Sequence, residues 1–393
     1  CFGPLEVAYD RDVVRGTVTR ETSEARTPGI WRYLEYLPVD GPPSRALAVG
    51  STPLLPADRL GPAIGVDRLW LKDDSRNPTL SFKDRAVAVA VARARTFGIE
   101  TLACASTGNL AGATAAAAAA IGVPAYVFVP ADLERPKVDH ALAYGATVVP
   151  VDGTYDDVNR LCLQVADELG WGFVNVNLRP FYAEGSKTLA FEVAESLGWR
   201  SPDVVVAPIA SGAMFTRLAR GFEELADAGL IAKRPIRFVG GQAAGCAPVA
   251  TAWGRGEEVQ PVRSPDTFVH SLAIGNPADG DASVELADAS AGSIEAIEDR
   301  ETAAAIREIA TLEGIYTETA GGVTVAAAAA ARRRGVIRHG DEVVAILSGN
   351  GMKTPDARLL GSGERQAHPG GPGLAPVIRP RLEDFESWLE GRS

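Results

Sequence analysis

From residue 101 to residue 347 the chain alternates short apolar runs with stretches of helical length, and no other feature restricts its fold as strongly. One series pairs runs 101–105, 125–129 and 147–151 with an alanine run ending near Gly122, then 133–144, then 155–169. A second pairs 204–209 with 215–228 and 236–242 with 249–254, and closes with run 342–347 at a Gly-rich turn. Runs that are apolar throughout, rather than at every second position, suit strands buried on both faces, which belong to parallel sheets covered by helices. The pattern predicts an α/β protein of two lobes, each a mostly parallel sheet flanked by helices. A ligand cleft is expected where the strands end. Two alanine-rich stretches, 111–120 and 323–331, read as helices whose small side chains permit close approach to a sheet.

Charge and cysteine content narrow the partners. The 393 residues carry 50 acidic and 39 basic side chains, a net charge of −11 with no long basic run. That balance argues against nucleic acid or an acidic membrane as a partner, so an anionic ligand must be held locally. Cys1, Cys104, Cys162 and Cys246 lie far apart without a C-x-x-C pair, so no disulfide framework and no metal is expected. No apolar run is long enough to span a bilayer, and a cytoplasmic enzyme in a reducing compartment is expected. Residues 1–45 read as a polar, Pro-rich arm with a helical candidate at 29–37; because numbering opens at Cys1, further residues are expected ahead of it. Residues 361–373 read as a flexible connection to a short acidic, aromatic tail at 382–389.

The densest cluster of reactive groups is NPTLSFKDR, residues 77–85, followed directly by the helical stretch 86–94. Ser81 is a candidate helix cap. Lys83 would sit in the first helical turn, where the positive end of the helix dipole and the neighbouring Arg85 both favour a neutral amine able to form a Schiff base. Three loops that follow strand-like runs add polar groups. They are Ser106-Thr107-Gly108-Asn109, Ser211-Gly212-Ala213-Met214-Phe215-Thr216 and Ser348-Gly349-Asn350-Gly351, the first two opening helices whose N–H groups suit a carboxylate and a phosphate.

From about Gly50 to about Asp356 the chain resembles the pyridoxal-phosphate enzymes of the tryptophan-synthase β fold, fold type II, and within them the threonine synthases. The ordered motifs are NPTLSFKDR, STGN, YGATVVPVDGTYDD, AEGSKT, IASGAMFT, GQAAGCAP, AIGNP, TETAGG and SGNGMKTPD. The resemblance implies that Lys83 carries pyridoxal 5′-phosphate covalently and acts as general base. Phe82 would line the ring, Asn109 would bond the 3′-oxygen, residues Ser211 to Thr216 would hold the cofactor phosphate, and Ser348 would face the pyridine nitrogen. A neutral hydroxyl there implies a mild electron sink. Ser106, Thr107 and Gly108 would receive the substrate carboxylate.

The same resemblance implies conversion of O-phospho-L-homoserine and water into L-threonine and phosphate, in a homodimer acting on a small phosphorylated amino acid. Neighbouring activities share the frame, including β-replacement on O-phosphoserine of the cysteate-synthase type and serine or threonine dehydration. The implied layout has a large cofactor domain at 46–90 and 178–360, a small mobile substrate domain at 91–177, and a linker and tail at 361–393. The chain departs from the family pattern at Leu80, where a small residue is expected, at Tyr182, where an arginine is expected, and at Thr354, where Asp is usual. With that arginine replaced, Lys187, Ser186, Ser81, Arg85 and the Tyr182 hydroxyl are the groups expected around the substrate, with Lys353 a further cation.

Overall fold

The computed structural model describes residues 5–106, 108–131, 135–152, 155–354 and 382–390. Residues 1–354 form one compact unit, and the helix Leu382–Glu390 belongs to a second, spanning 355–393. The strands in chain order are β1 (Leu54–Pro56), β2 (Arg68–Asp73), β3 (Leu102–Ala105), β4 (Ala125–Pro130), β5 (Thr147–Val151), β6 (Gly172–Phe173), β7 (Val204–Pro208), β8 (Arg237–Ala243), β9 (Ser293–Ile297) and β10 (Glu342–Leu347). They form two sheets, one in the order β1-β2-β10-β7-β8-β9 and one in the order β5-β4-β3-β6. Every pairing is parallel except that of the edge strand β1 with β2.

The apolar runs become strands for the expected reason: every residue of β3, β7 and β10 is buried, with helices covering both faces. Pro150 is tolerated because β5 lies at an edge. The six-stranded sheet also contains β1, β2 and β9, which periodicity does not reveal. In β2, RLWLKD, the charged Lys72 and Asp73 are fully buried. In β9, SIEAI, Glu295 is buried beside Arg334. Both strands hide ionic groups where a sequence reading expects apolar ones.

The alanine-rich stretches are the helices Asn109–Ile121, packed on β3 and β4, and Thr319–Arg334, packed across β7 to β10. Their small side chains serve close packing. A Cβ on Gly241 of β8 would lie 2.9 Å from Val323 and 3.0 Å from the Ala327 methyl group. The arm candidate at 29–37 is a 3-10 helix, Ile30–Tyr36, and the arm lies on its own body. Tyr9 donates to Glu184 at 2.7 Å, the Glu6 carboxylate meets Arg217 at 3.1 Å, and Arg20 donates to the Leu230 carbonyl at 2.6 Å.

A buried ionic cluster ties the segment 52–85 to the helix Thr188–Ser196. Arg85 is fully buried and donates to both carboxylate oxygens of Asp74, at 2.7 and 2.9 Å, and both of Glu192, at 2.8 and 2.7 Å. Its remaining contacts are the hydroxyls of Thr188 at 3.1 Å and Thr52 at 2.9 Å. Lys72 donates to Glu192 at 2.7 Å and to the Thr52 carbonyl at 2.6 Å. Two cations and two anions thus cancel. Burial alone would raise the Glu192 carboxyl, but Arg85 and Lys72 override it and hold the group well below the usual carboxylate range. Removing one partner strands the rest, so Arg85→Met is expected to lower the unfolding free energy by about 3–5 kcal/mol. Denaturant titration checks this, and an unchanged midpoint would deny the cluster an anchoring role.

Candidate active site

Three neighbouring parallel strands, β2, β10 and β7, end at the same side of the large sheet and deliver three of the predicted motifs there. β2 leads into the Lys83 segment, β10 into Ser348, and β7 into the Gly212 loop. The first two are sewn together. Phe82 N–H donates to the Ser348 carbonyl at 2.9 Å, Asn350 N–H donates to the Leu80 carbonyl at 3.0 Å, and Ser81 bridges Gly349. Leu80, the first departure from the family pattern, takes a left-handed conformation at φ 61° between these contacts, a strained setting for a branched side chain.

Lys83 is the first residue of the helix Lys83–Thr96. Its Nζ donates to the Tyr182 hydroxyl at 2.8 Å and lies 4.6 Å from the centroid of the Phe82 ring. Tyr182 therefore faces the lysine amine. From the smaller sheet, β3 leads to Asn109 at the start of its helix, and the Asn109 amide donates to Glu318 at 2.7 Å. The other oxygen of Glu318 accepts from the Ser348 hydroxyl at 2.9 Å. Glu318, from the TETAGG motif, was not singled out by the sequence; its only signal there is an acid directly before an alanine-rich helix.

Gly212 takes φ 93° at the start of the 15-residue helix Ala213–Asp227, and a Cβ there would lie 2.6 Å from the Asp279 carbonyl and 2.6 Å from the Ser283 hydroxyl. Only glycine fits, and the turn leaves the first-turn N–H groups of Ala213, Met214 and Phe215 without intrahelical acceptors. The side chains here do other work: Phe215 is core, Met214 is buried against the same cluster, and the Thr216 hydroxyl bonds back to Gly212 and Ala213 carbonyls. An amine at a helix start, a glycine cradle at a long helix N-terminus, and Asn109 and Ser348 linked through one carboxylate form a donor set that fits pyridoxal 5′-phosphate.

Several expected substrate groups are committed elsewhere. Arg85 cannot grip a phosphate or act as a bare cation beside Lys83, because Asp74 and Glu192 consume its guanidinium. Lys187 is fully buried, paired with Glu184 at 2.6 Å and Glu224 at 2.7 Å under the Tyr9 ring. Ser81 is not the side-chain cap: Phe82 occupies that position and the buried Ser81 hydroxyl has no partner. The Ser106 oxygen accepts from Gly108 N–H at 3.2 Å and Ala111 N–H at 3.1 Å, capping its helix and leaving only its hydrogen for a ligand. Ser186 is buried after the helix Arg179–Gly185. Thr107 and Cys1 lie outside the described residues.

Lys353 is the cation the structure brings to this rim. It donates to the Thr79 carbonyl at 2.6 Å, and the same Thr79 donates twice to Asp84 at 2.7 Å. Burial pulls the Lys353 ammonium down, against the attraction of Glu318 and Asp84. Burial, aided by Lys353, also lowers His140 to about 4.

A two-sheet α/β body with a lysine at a helix start and a glycine cradle opposite defines a fold type II enzyme. The sequence model of pyridoxal-phosphate dependent enzymes matches residues 45–349, and the chain belongs to that family. The threonine synthase of Methanocaldococcus jannaschii is 35% identical over 367 residues, covering 93% of this chain and 90% of that protein. That of Synechocystis sp. is 36% identical, covering 88% of this chain and 89% of the other. Solved structures of maize serine racemase (TM-score 0.66, 19% identity, covering 79% of this chain and 91% of that one) and of processed threonine deaminase isoform 2 from Solanum lycopersicum (TM-score 0.66, 23% identity, covering 79% and 86%) share the fold.

Burial pushes the Asp84 carboxyl up to about 6, against the two Thr79 hydrogen bonds that lower it. The folded chain therefore holds a proton that the unfolded chain has released, and stability falls as pH rises from about 4 to about 6. Asp84→Asn has no such proton to lose; its amide oxygen can accept from the Thr79 N–H and its amide hydrogen can be donated to the Thr79 hydroxyl. Its stability relative to the parent is expected to rise by about 2–3 kcal/mol from pH 4 to pH 7. Parallel stability curves would remove the Asp84 charge from this account.

Proposed function

We propose that the chain is a threonine synthase, converting O-phospho-L-homoserine and water into L-threonine and phosphate. The observation that carries this reading is identity of about one third to threonine synthases across some nine tenths of the chain, against 19–23% to the racemase and the deaminase of the same fold. Pyridoxal 5′-phosphate, bound at Lys83 and cradled by residues 211–216, supplies the electron sink for carbanions beside the substrate nitrogen. The Tyr182 hydroxyl orients the Lys83 amine, which would take the Cα proton and then the Cβ proton of the bound substrate. The second loss lets the phosphate leave from Cγ. A proton returns to Cγ, which leaves Cβ electrophilic; water then adds its hydroxyl at Cβ and releases its proton, and a proton returns to Cα.

With Arg85 and Lys187 committed to carboxylates, Lys353 and the Tyr182 hydroxyl are the groups that would meet the substrate phosphate. Lys353 has one hydrogen-bonded carbonyl and two further N–H groups to offer. The cytoplasmic setting, the homodimer and the division into a large and a small domain belong to the same reading; among the described residues no helix is long and apolar enough to cross a membrane.

Phosphate release and product identity, with O-phosphohomoserine and O-phosphoserine as substrates, test the activity. Threonine from the first is expected; β-replacement on the second, or a keto acid, would favour the neighbouring activities instead. Lys83→Ala is expected to lose the covalent cofactor absorbance. Lys353→Met is expected to raise KM for O-phosphohomoserine about tenfold or more, whereas Lys187→Met lowers thermal stability and leaves KM within about twofold. The reverse pattern would return the phosphate site to Lys187.

A further inference from the structure

We infer that Tyr9 of the N-terminal arm is a positioning residue for the reaction: its hydroxyl holds Glu184 on one side of the helix Arg179–Gly185 and so sets the Tyr182 hydroxyl, on the other side, against the Lys83 amine. The inference rests on the reading that Tyr182 orients Lys83 as the base.

The helix that carries Tyr182 has seven residues, and a helix so short has no stability of its own. Its rotation is set by what grips it. Tyr182 and Glu184 are two positions apart, about 200° around the axis, so they leave the helix on nearly opposite sides. On the first side the Tyr182 hydroxyl accepts from Lys83 Nζ at 2.8 Å. On the second, one oxygen of the fully buried Glu184 accepts from the Tyr9 hydroxyl at 2.7 Å and lies 2.6 Å from Lys187 Nζ. The other oxygen has no hydrogen-bond partner among the described residues, and Arg217 Nε stands off at 3.4 Å.

The remaining contacts leave rotation free. The Lys187 ammonium is shared with both oxygens of Glu224, at 3.0 and 2.7 Å, and a point charge on a flexible stem follows a carboxylate that swings. Gly185 packs on the Arg85 carbonyl and fixes the helix in depth, but it has no side chain to resist turning. A hydroxyl on a rigid ring supplies the missing direction. A tyrosine hydroxyl stands about 8 Å from its helix axis, so a turn of about 10° carries it about 1.4 Å. A displacement of that order breaks the bond to Lys83 and is enough to slow a reaction severely.

The arm that brings Tyr9 is itself anchored. Glu6 meets Arg217 at 3.1 Å and Arg220 at 3.3 Å, Arg220 also donates to the Val7 carbonyl, and Lys187 Nζ lies 4.2 Å from the centroid of the Tyr9 ring. Burial, and after it Glu184, pushes the Tyr9 hydroxyl far above the usual tyrosine range, so it keeps its proton and remains a donor.

Tyr9→Phe keeps the ring beside Lys187 and removes only the hydroxyl. Hydrogen exchange read by mass spectrometry on the holoenzyme is expected to show residues 179–185 exchanging about tenfold faster, with residues 83–96 within about twofold of the parent. With O-phosphohomoserine, kcat is expected to fall about tenfold while KM stays within about twofold. A double-mutant cycle separates this from general loosening. In a Tyr182→Phe background, Tyr9→Phe is expected to change kcat by less than about twofold, because the hydroxyl it positions is gone. Unchanged exchange at 179–185, an unchanged kcat, or a tenfold loss that persists in the Tyr182→Phe background overturns the inference. The exchange result needs no turnover, so it decides even where the Tyr182→Phe enzyme is too slow to assay. Failure of the functional reading would instead show in the parent enzyme, as a different product or a missing Lys83-linked absorbance.

Discussion

The neutral cluster of Arg85, Asp74, Glu192 and Lys72 sets the frame on which the active site depends. Arg85 lies two residues beyond Lys83 in the same helical turn, Asp74 follows β2, and Glu192 sits in the helix Thr188–Ser196. The rigid guanidinium fork bonds both carboxylates at once, so it fixes the helix carrying Lys83 in both depth and rotation. Apolar residues could fill the same volume without the desolvation that buried charges demand, but they would tolerate sliding. Close packing reinforces the position: a Cβ on Gly185 would lie 2.2 Å from the Arg85 carbonyl, so the segment bearing Tyr182 presses directly on this helix.

From that frame the site follows as a set of strand ends. β2, β10 and β7 are neighbours, and the backbone bonds between Phe82 and Ser348 and between Leu80 and Asn350 lock the lysine loop to the serine loop. The smaller sheet contributes through Asn109, whose bond to Glu318 joins loops 209 residues apart in sequence. Glu318 caps the helix Thr319–Arg334, and that helix is seated closely on the sheet because Gly241 faces Ala327 and Val323. The small residues of the alanine-rich helix thus set the depth of the carboxylate at its start.

The four cations of the motifs divide by what surrounds them. Lys187 and Arg85 are saturated by carboxylates, one of them Glu224, 37 residues from Lys187. Lys83 meets a neutral hydroxyl, and Lys353 a carbonyl with carboxylates further off. Only the second pair keeps donors for a ligand. In the motif AEGSKT the lysine looks available because its neighbours are small and polar. What removes it from the site is Glu224 on another helix and the Tyr9 ring of the arm.

Local chemistry was legible along the chain: α/β alternation, continuous apolar strands, a lysine at a helix start, and glycine-rich turns after strands. Each depends on side-chain periodicity or on backbone conformations available within a few residues, and the strands and helices of both sheets largely follow it. The order of motifs was also enough to place the chain in its family. Which charged groups are spent on one another emerges only from the packing of distant segments. β2 and β9 escaped periodicity because their charges are neutralised by distant residues, as Lys72 is by Glu192 and Glu295 by Arg334. The roles of Arg85, Lys187 and Glu318 were hidden for the same reason: whether an ionic side chain is free depends on the charge packed against it, and packing joins segments that sequence spacing does not relate.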